Sequence, residues 1–249
     1  MVRRHDRDRF QTALFAPRRR REGLFALYAF NYEIARVRET VTAPILGQIR
    51  LQWWREAVAT ACEGGLPRRH EVAEALTAAI REYGLDRGKF ERLIDSRERD
   101  FDDAPPPTLA ALEDYAAASS GTLTELAAAL LGGGDAAAQR AAAAVGTGFG
   151  LAGLLRAATY HAAIGRHALP PGVPVREIAA AARRHLQAAR ADRGAVPRAA
   201  LAAMLPAVIA SRYLRRLDRA GLDRAAPQPA RPDPLQSWAL FAAWLRGRF

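Results

Sequence analysis

The sequence predicts an all-α protein. Half of its 249 residues are hydrophobic, alanine and leucine dominate, and β-branched residues are sparse. Apolar positions recur at three and four residues over long windows, the period of one helix face. No strand pattern is visible. A chain of this length and composition can bury a substantial core. The breaks between helical segments show no composition shift from one side to the other, so a single domain over 1–249 is expected.

The elements follow from their punctuation. A short first helix is expected over about 7–15 and a second from Pro17 to about Val41, with proline at its tolerated first-turn position. Pro44 opens a third, "PILGQIRLQWWREAVATAC", which "EGGLP" ends. Further helices are expected near 69–83, 86–102, 108–131, 136–164, 175–191, 197–220 and 234–247. The intervening breaks are "APPP" at 104–107, "LGGGD" at 131–135, "LPPGVP" at 169–174 and "RAAPQPARPDP" at 224–234, the last long enough for a mobile loop. The glycine run reads as a helix–helix turn, because a phosphate-cradling loop needs a preceding strand.

The formal net charge is +11, with Lys89 the only lysine among many arginines. Such a balance attracts diphosphate, an anionic membrane face or nucleic acid. It also fits an arginine-rich chain with solvated helix faces. No nucleic-acid recognition motif accompanies the charge, and nucleic acid is not expected as a partner. The run Arg18 to Arg21 opens a helix, where cations oppose the helix dipole; it is either solvated or compensated by an acidic or anionic neighbour. Cys62 is the only cysteine, which excludes an intramolecular disulfide and a cysteine-based zinc site. A reducing, cytoplasmic setting is expected. The start, "MVRRHDRDRF", lacks the apolar core of a secretory signal, and no run approaches about 20 apolar residues, so any membrane contact is expected to be peripheral.

Three segments in order carry a resemblance: "RREGLFALYAFNYEIARVRE" with "LGQIRLQWWREAV", then "LIDSRERDFDDAPPPTLAALEDYAAASSGTLTELAAALLG", then "GTGFGLAGLLRAATYHAAIGRHALPPGV". Together they resemble the squalene and phytoene synthase family. That resemblance implies an isoprenoid-synthase fold, in which helices surround a cavity where two prenyl diphosphates are joined head to head. Ionising an allylic diphosphate needs Mg²⁺ ions held by carboxylates on facing helices, and apolar walls that keep water from the carbocation.

At the first motif the resemblance implies aspartates seven and eleven positions after Tyr28; Ala35 and Glu39 stand there, with Arg36 beside the first and Tyr32 in place of a diphosphate-contacting arginine. At the second, the motif asparagine is Gly153, the arginine is kept as Arg156, the two aspartates are Ala157 and His161, and an upstream glutamine is Gly150. Tyr115 matches a cavity tyrosine of the family. One carboxylate cannot assemble a multi-magnesium cluster. The pattern resembles a non-catalytic branch that includes the mitochondrial assembly factor of respiratory complex I. The resemblance therefore implies an accessory or assembly factor without cofactor. Its implied partners are respiratory-complex subunits, an isoprenoid or lipid ligand, and the anionic inner-membrane surface.

The alternative is an active head-to-head prenyltransferase with a remodelled site, using Mg²⁺ on Glu33, Glu39 and His161 and diphosphate on Arg156. Tyr160 and His161 with Glu33 or Glu39 make either an acid/base or metal site, or a hydrogen-bonded cavity histidine. Arg36, Arg156 and Arg166 either grip a diphosphate or phospholipid head group or pair with acids that once faced metals. Tyr28, Phe30, Trp53 and Trp54 either line a ligand cavity or form core. The run Arg97 to Asp103 reads as a solvated helix end with internal ion pairs, against a metal reading that its spacing does not support. His70, His167 and His185 suggest no cluster.

Overall fold

Aspartate and threonine caps set where several helices begin in the computed structural model, which describes residues 1–221 and 233–249. The elements are α1 (Val2–His5), α2 (Arg7–Ala13), α3 (Arg18–Ala35), α4 (Val37–Thr40), α5 (Pro44–Cys62), α6 (Glu71–Tyr83), α7 (Arg87–Ser96), α8 (Leu109–Ala116), α9 (Thr122–Leu130), α10 (Ala136–Ala163), α11 (Val175–Ala191), α12 (Leu201–Met204), α13 (Pro206–Ala220) and α14 (Gln236–Leu245). No strand occurs among the described residues. The Asp6 carboxylate accepts from Arg9 N, Asp86 from Gly88 N and Lys89 N, Thr108 from Ala111 N, and Asp135 from Ala137 N and Ala138 N. Each satisfies backbone donors that a helix start leaves free.

The differences from the expected boundaries have local causes. Pro17 is the N-cap of α3, not a first-turn residue. The helix expected to reach Val41 breaks at Arg36, so α4 leaves α3 as a separate turn. The segment 86–102 ends its α-helix at Ser96 and continues as a 3₁₀ turn, Glu98–Phe101. The segment 108–131 widens into a π-helical turn, Ala117–Gly121, between α8 and α9. Pro206 divides the segment 197–220, which opens with a 3₁₀ turn at Arg198–Ala200. An unexpected turn, α1, precedes the first expected helix. The expected mobile loop at 224–234 falls mostly outside the described residues.

The core draws on residues from Val2 to Phe249. Along α6 the buried residues Val72, Ala73, Leu76, Ala79 and Ile80 follow the helix period, and Gly84 ends it in the left-handed region at φ 60°. Of the aromatic residues read as wall or core, Tyr28, Phe30 and Trp54 are core and Trp53 is half-buried against it: Trp54 and Phe30 are fully buried and meet edge to face at 5.3 Å, and Phe90 meets Phe30 at 5.5 Å. Alanine and glycine let α10 lie close to α9, α11 and α13. By length and composition α10 would span a membrane, but it is the central helix and 56% of that apolar window is buried in the fold.

The basic run at the start of α3 is only half solvated. Arg18 and Arg19 are exposed, whereas Arg20 donates to the Leu130 carbonyl at 2.9 Å and Arg21 to the carbonyls of Leu14 and Ala16 at 2.9 and 3.1 Å. Two of the four cations thus cap helix ends nearby.

Candidate functional site

Five helical elements meet around a cavity of about 410 Å³. Ala35 at the end of α3 and Glu39 on α4 form one wall; Leu154 and His161 on α10 stand on another. Arg97 and Asp100 come in from the 3₁₀ turn after α7, Tyr115 from α8, and Gly165, Arg166 and His167 from the loop after α10. The proline run 105–107 lines the mouth.

A polar network closes the floor. Arg97 Nη1 donates to the Tyr115 hydroxyl at 3.0 Å and Nη2 to Asn31 Oδ1 at 3.2 Å. The Tyr115 hydroxyl donates to Asp100 Oδ1 at 2.8 Å, and Arg97 lies 3.7 Å from Asp100 Oδ2. The expected solvated helix end is thus corrected for these two residues. Arg97 and Asp100 are largely buried, because the 3₁₀ turn bends them inward, while Asp102 and Asp103 stay exposed and Asp103 pairs with Arg38 at 3.3 Å. Their internal ion pair was the correct part of the expectation.

Burial raises the Asp100 carboxyl above the usual carboxylate range, against the opposing pull of Arg97, the Tyr115 hydrogen bond, Arg166 and His161. Burial likewise pushes the Tyr115 phenol up to about 12. At His161 burial and the nearby Arg166 lower the imidazole, while Glu39 and Asp100 act in the other direction. Its Nδ1 is buried without a hydrogen-bond partner among the described residues.

That shift has a measurable consequence. The folded chain resists protonating His161 below its ordinary value of 6.5, so the unfolded chain takes up the proton first as pH falls. The associated stability is present above about pH 6.5 and is lost as pH falls through the lower folded value. Asp100, raised, acts with the opposite sign, so the comparison is between two chains: Tm between about pH 7 and 5 is expected to fall less steeply in His161→Gln than in the parent. Equal slopes would contradict it.

The remaining site candidates are placed elsewhere. Glu33 is buried and held by Arg36 at 3.6 Å and Arg50 at 3.9 Å, outside the cavity lining. Tyr32 stacks on His5 at 4.3 Å, and the Arg36 guanidinium lies 5.4 Å from the Tyr32 ring. Tyr28 is buried, and burial holds its phenol well above the usual range; its ring lies 5.9 Å from the Arg9 guanidinium. Arg156 donates to Asp8 Oδ2 at 2.7 Å, and Asp8 Oδ1 accepts from Gln236 at 2.9 Å. Tyr160 is 60% exposed. Ala157 is half-buried. Of the residues expected at the site, the cavity gathers Ala35, Glu39, Tyr115, His161 and Arg166.

The N-terminal helices explain the rest. Arg9 reaches from α2 into the bundle, donating to Asp6 Oδ2 at 3.0 Å and Ser120 Oγ at 3.1 Å with its guanidinium 5.0 Å from the Phe149 ring. Sequence reasoning missed these contacts, and it missed Arg97 and Asp100 as cavity residues. The signal available for the latter was their place inside the second resembling segment.

The donor set does not fit the magnesium cluster that the resemblance implies. Among the described residues no three His, Cys, Asp or Glu side chains are grouped to hold a metal ion. At the four positions where the resemblance implies aspartates the sequence has Ala35, Glu39, Ala157 and His161, and Asp100 is engaged by Tyr115. No reaction step is therefore derived through such ions.

The squalene/phytoene synthase family profile matches residues 2–172. The chain belongs to this family. Among curated relatives, "NADH dehydrogenase (ubiquinone) complex I, assembly factor 6" of Bos taurus is 28% identical over 271 residues, covering all of this chain and 81% of that protein. The Homo sapiens protein of the same name is 28% identical over 268 residues, covering 96% of this chain and 80% of that one. Among solved structures, squalene synthase HpnC from Alicyclobacillus acidocaldarius superposes with a TM-score of 0.77 at 22% identity, covering 88% of this chain and 91% of that one. A dehydrosqualene synthase in complex with ligand gives 0.76 at 14% identity, covering 98% and 93%. These two establish the isoprenoid-synthase fold of the family member described here.

Proposed function

We propose that this member of the squalene/phytoene synthase family is an assembly or accessory factor for a respiratory membrane complex of the complex I type, and that it has given up metal-dependent prenyl transfer. The observation that carries the reading is the cavity itself. Where the resemblance implies facing aspartates, Ala35 and Glu39 stand opposite His161, and Asp100 is tied to Tyr115 and Arg97. A diphosphate leaving group needs several charges' worth of neutralisation, and of the other lining carboxylates Asp102 accepts from Ala104 N and Asp103 pairs with Arg38, so with Asp100 engaged they form no group that could hold the ions that supply it. Arg156, the motif arginine, is spent on Asp8. The similarity to proteins named as complex I assembly factors, over 96–100% of this chain and 80–81% of theirs, supports the positive half of the reading.

In this reading the cavity is a small binding pocket for an isoprenoid or lipid end, with Arg166 and His161 at its polar side. The protein works next to a respiratory membrane and needs no cofactor. Deleting the chain from its host and assaying membranes tests the proposal. Rotenone-type-inhibitor-sensitive NADH:ubiquinone oxidoreductase activity is expected to fall and to return when the parent or Glu39→Ala is supplied. Unchanged activity in the deletion strain, with loss of a prenylated product, would overturn it.

A further inference from the structure

The outer face of α14 has no counterpart in the cavity or the core. Leu235, Trp238, Phe241 and Leu245 are 58%, 71%, 45% and 62% exposed. At 100° per residue they fall within one third of the helix circumference, opposite the buried Leu240. The inner side is firmly seated: Gln236 donates to Asp8 and to Gln11, Trp244 meets Phe15 at 5.8 Å, and Arg198 lies 4.7 Å over the Trp244 ring. The exposed stripe is therefore a fixed feature of the folded chain. Single exposed apolar residues need no explanation, but four on one rigid face do.

The charges around the stripe state what it fits. From Gln236 to Phe249 there is no acidic residue, and Arg246 and Arg248 are exposed just past the helix end. Arg198 is exposed beside Trp244, and Arg18 and Arg19 stand exposed at the corner three and four residues past Phe15. That corner carries one exposed carboxylate, Glu22. Asp233, just before α14, is neutralised by Arg212 at 2.6 Å and lies 3.7 Å from Arg216. Large apolar side chains including a tryptophan, flanked among the described residues by more free arginines than free acids, match the interfacial layer of an anionic bilayer.

We infer that the outer face of α14, with the surrounding arginines, docks the protein flat on an anionic lipid surface. Trp238, Phe241 and Leu245 enter the head-group and upper acyl layer, and the arginines contact lipid phosphates. The inference is independent of the assembly role and of the cavity, since none of these residues lines it.

The test is flotation of the purified full chain with vesicles of phosphatidylcholine alone, or with about one third phosphatidylglycerol. Binding is expected to the anionic vesicles, to weaken with salt, and to bring a blue shift in tryptophan emission. Trp238→Ser combined with Phe241→Ser, both at exposed positions, is expected to reduce it about tenfold or more without changing Tm. Arg246→Glu with Arg248→Glu is expected to reduce it by a similar factor. No binding to either vesicle would overturn the inference, as would equal binding to neutral vesicles or undiminished binding of the Trp238/Phe241 variant. A dimer in solution that this same variant dissociates would overturn it too, by giving the face to a second copy of the chain.

Discussion

Replacing Arg97 with methionine is expected to lower unfolding stability by about 3 kcal/mol, the scale on which removing one partner of a buried ion pair leaves the other uncompensated. Methionine fills the space of the aliphatic stem, so the loss is one of charge and hydrogen bonds rather than volume. Asp100 would keep its Tyr115 hydrogen bond at 2.8 Å but lose the cation 3.7 Å away, and Asn31 would lose its donor at 3.2 Å. Since burial already disfavours the Asp100 carboxylate, the single variant is expected to bind a proton there at higher pH than the parent does. Asp100→Asn in the same chain removes that charge and is expected to restore about half of the loss. Urea unfolding of the two single variants and the double variant measures the coupling; additive losses would show that the network is not a unit.

Gly146→Ala is expected to cost about 3 kcal/mol, at the upper end of overpacking. Gly146 lies on α10 where it crosses the π-helical turn, and a Cβ there would sit 2.3 Å from the Ser120 carbonyl oxygen and 2.7 Å from Gly121 Cα. Both obstacles are backbone, so neither can rotate away. The two elements would have to part, loosening the wall that carries Tyr115 from the one that carries His161. Gly153, one helical segment further along α10, offers the internal control: a Cβ there meets nothing within 4 Å, and Gly153→Ala is expected to leave stability unchanged or slightly raised through helix propensity. Thermal unfolding of the two variants separates close packing from general intolerance of substitution; equal losses would contradict the account.

How much of this could be read in the sequence depended on whether the determinant was local. Pro44 and Pro174 mark helix starts by chemistry that acts within a turn, and α5 and α11 run over the expected residues, Pro44–Cys62 and Val175–Ala191. The break at Arg36 has no proline or glycine to announce it, and it is what turns Glu39 toward the cavity. The π-helical turn is equally silent. There Ser119 and Thr122 back-bond to the Tyr115 and Ala117 carbonyls, and Thr124 to that of Ser120, under packing by α10.

The site was half legible for the same reason. The residues aligned with both motifs were readable by position, and Ala35, Glu39 and His161 do share a cavity. What Tyr32 and Arg156 touch was settled by His5 and Asp8, residues more than twenty and more than a hundred positions away in the chain. No periodicity in α3 or α10 carries that information. On a continuous helix across 86–102 Arg97 and Asp100 would face solvent; the 3₁₀ turn places both on the inner side instead.

The proposed loss of prenyl transfer is tested by diphosphate release from farnesyl and geranylgeranyl diphosphate by the purified chain with Mg²⁺. A chain carrying Ala35→Asp, Gly153→Asn, Ala157→Asp and His161→Asp runs in parallel; a Cβ at Gly153 meets nothing within 4 Å. The account predicts no release above the uncatalysed rate from the parent. Turnover by the parent that Glu39→Ala abolishes would contradict it and make the cavity a working, remodelled synthase site.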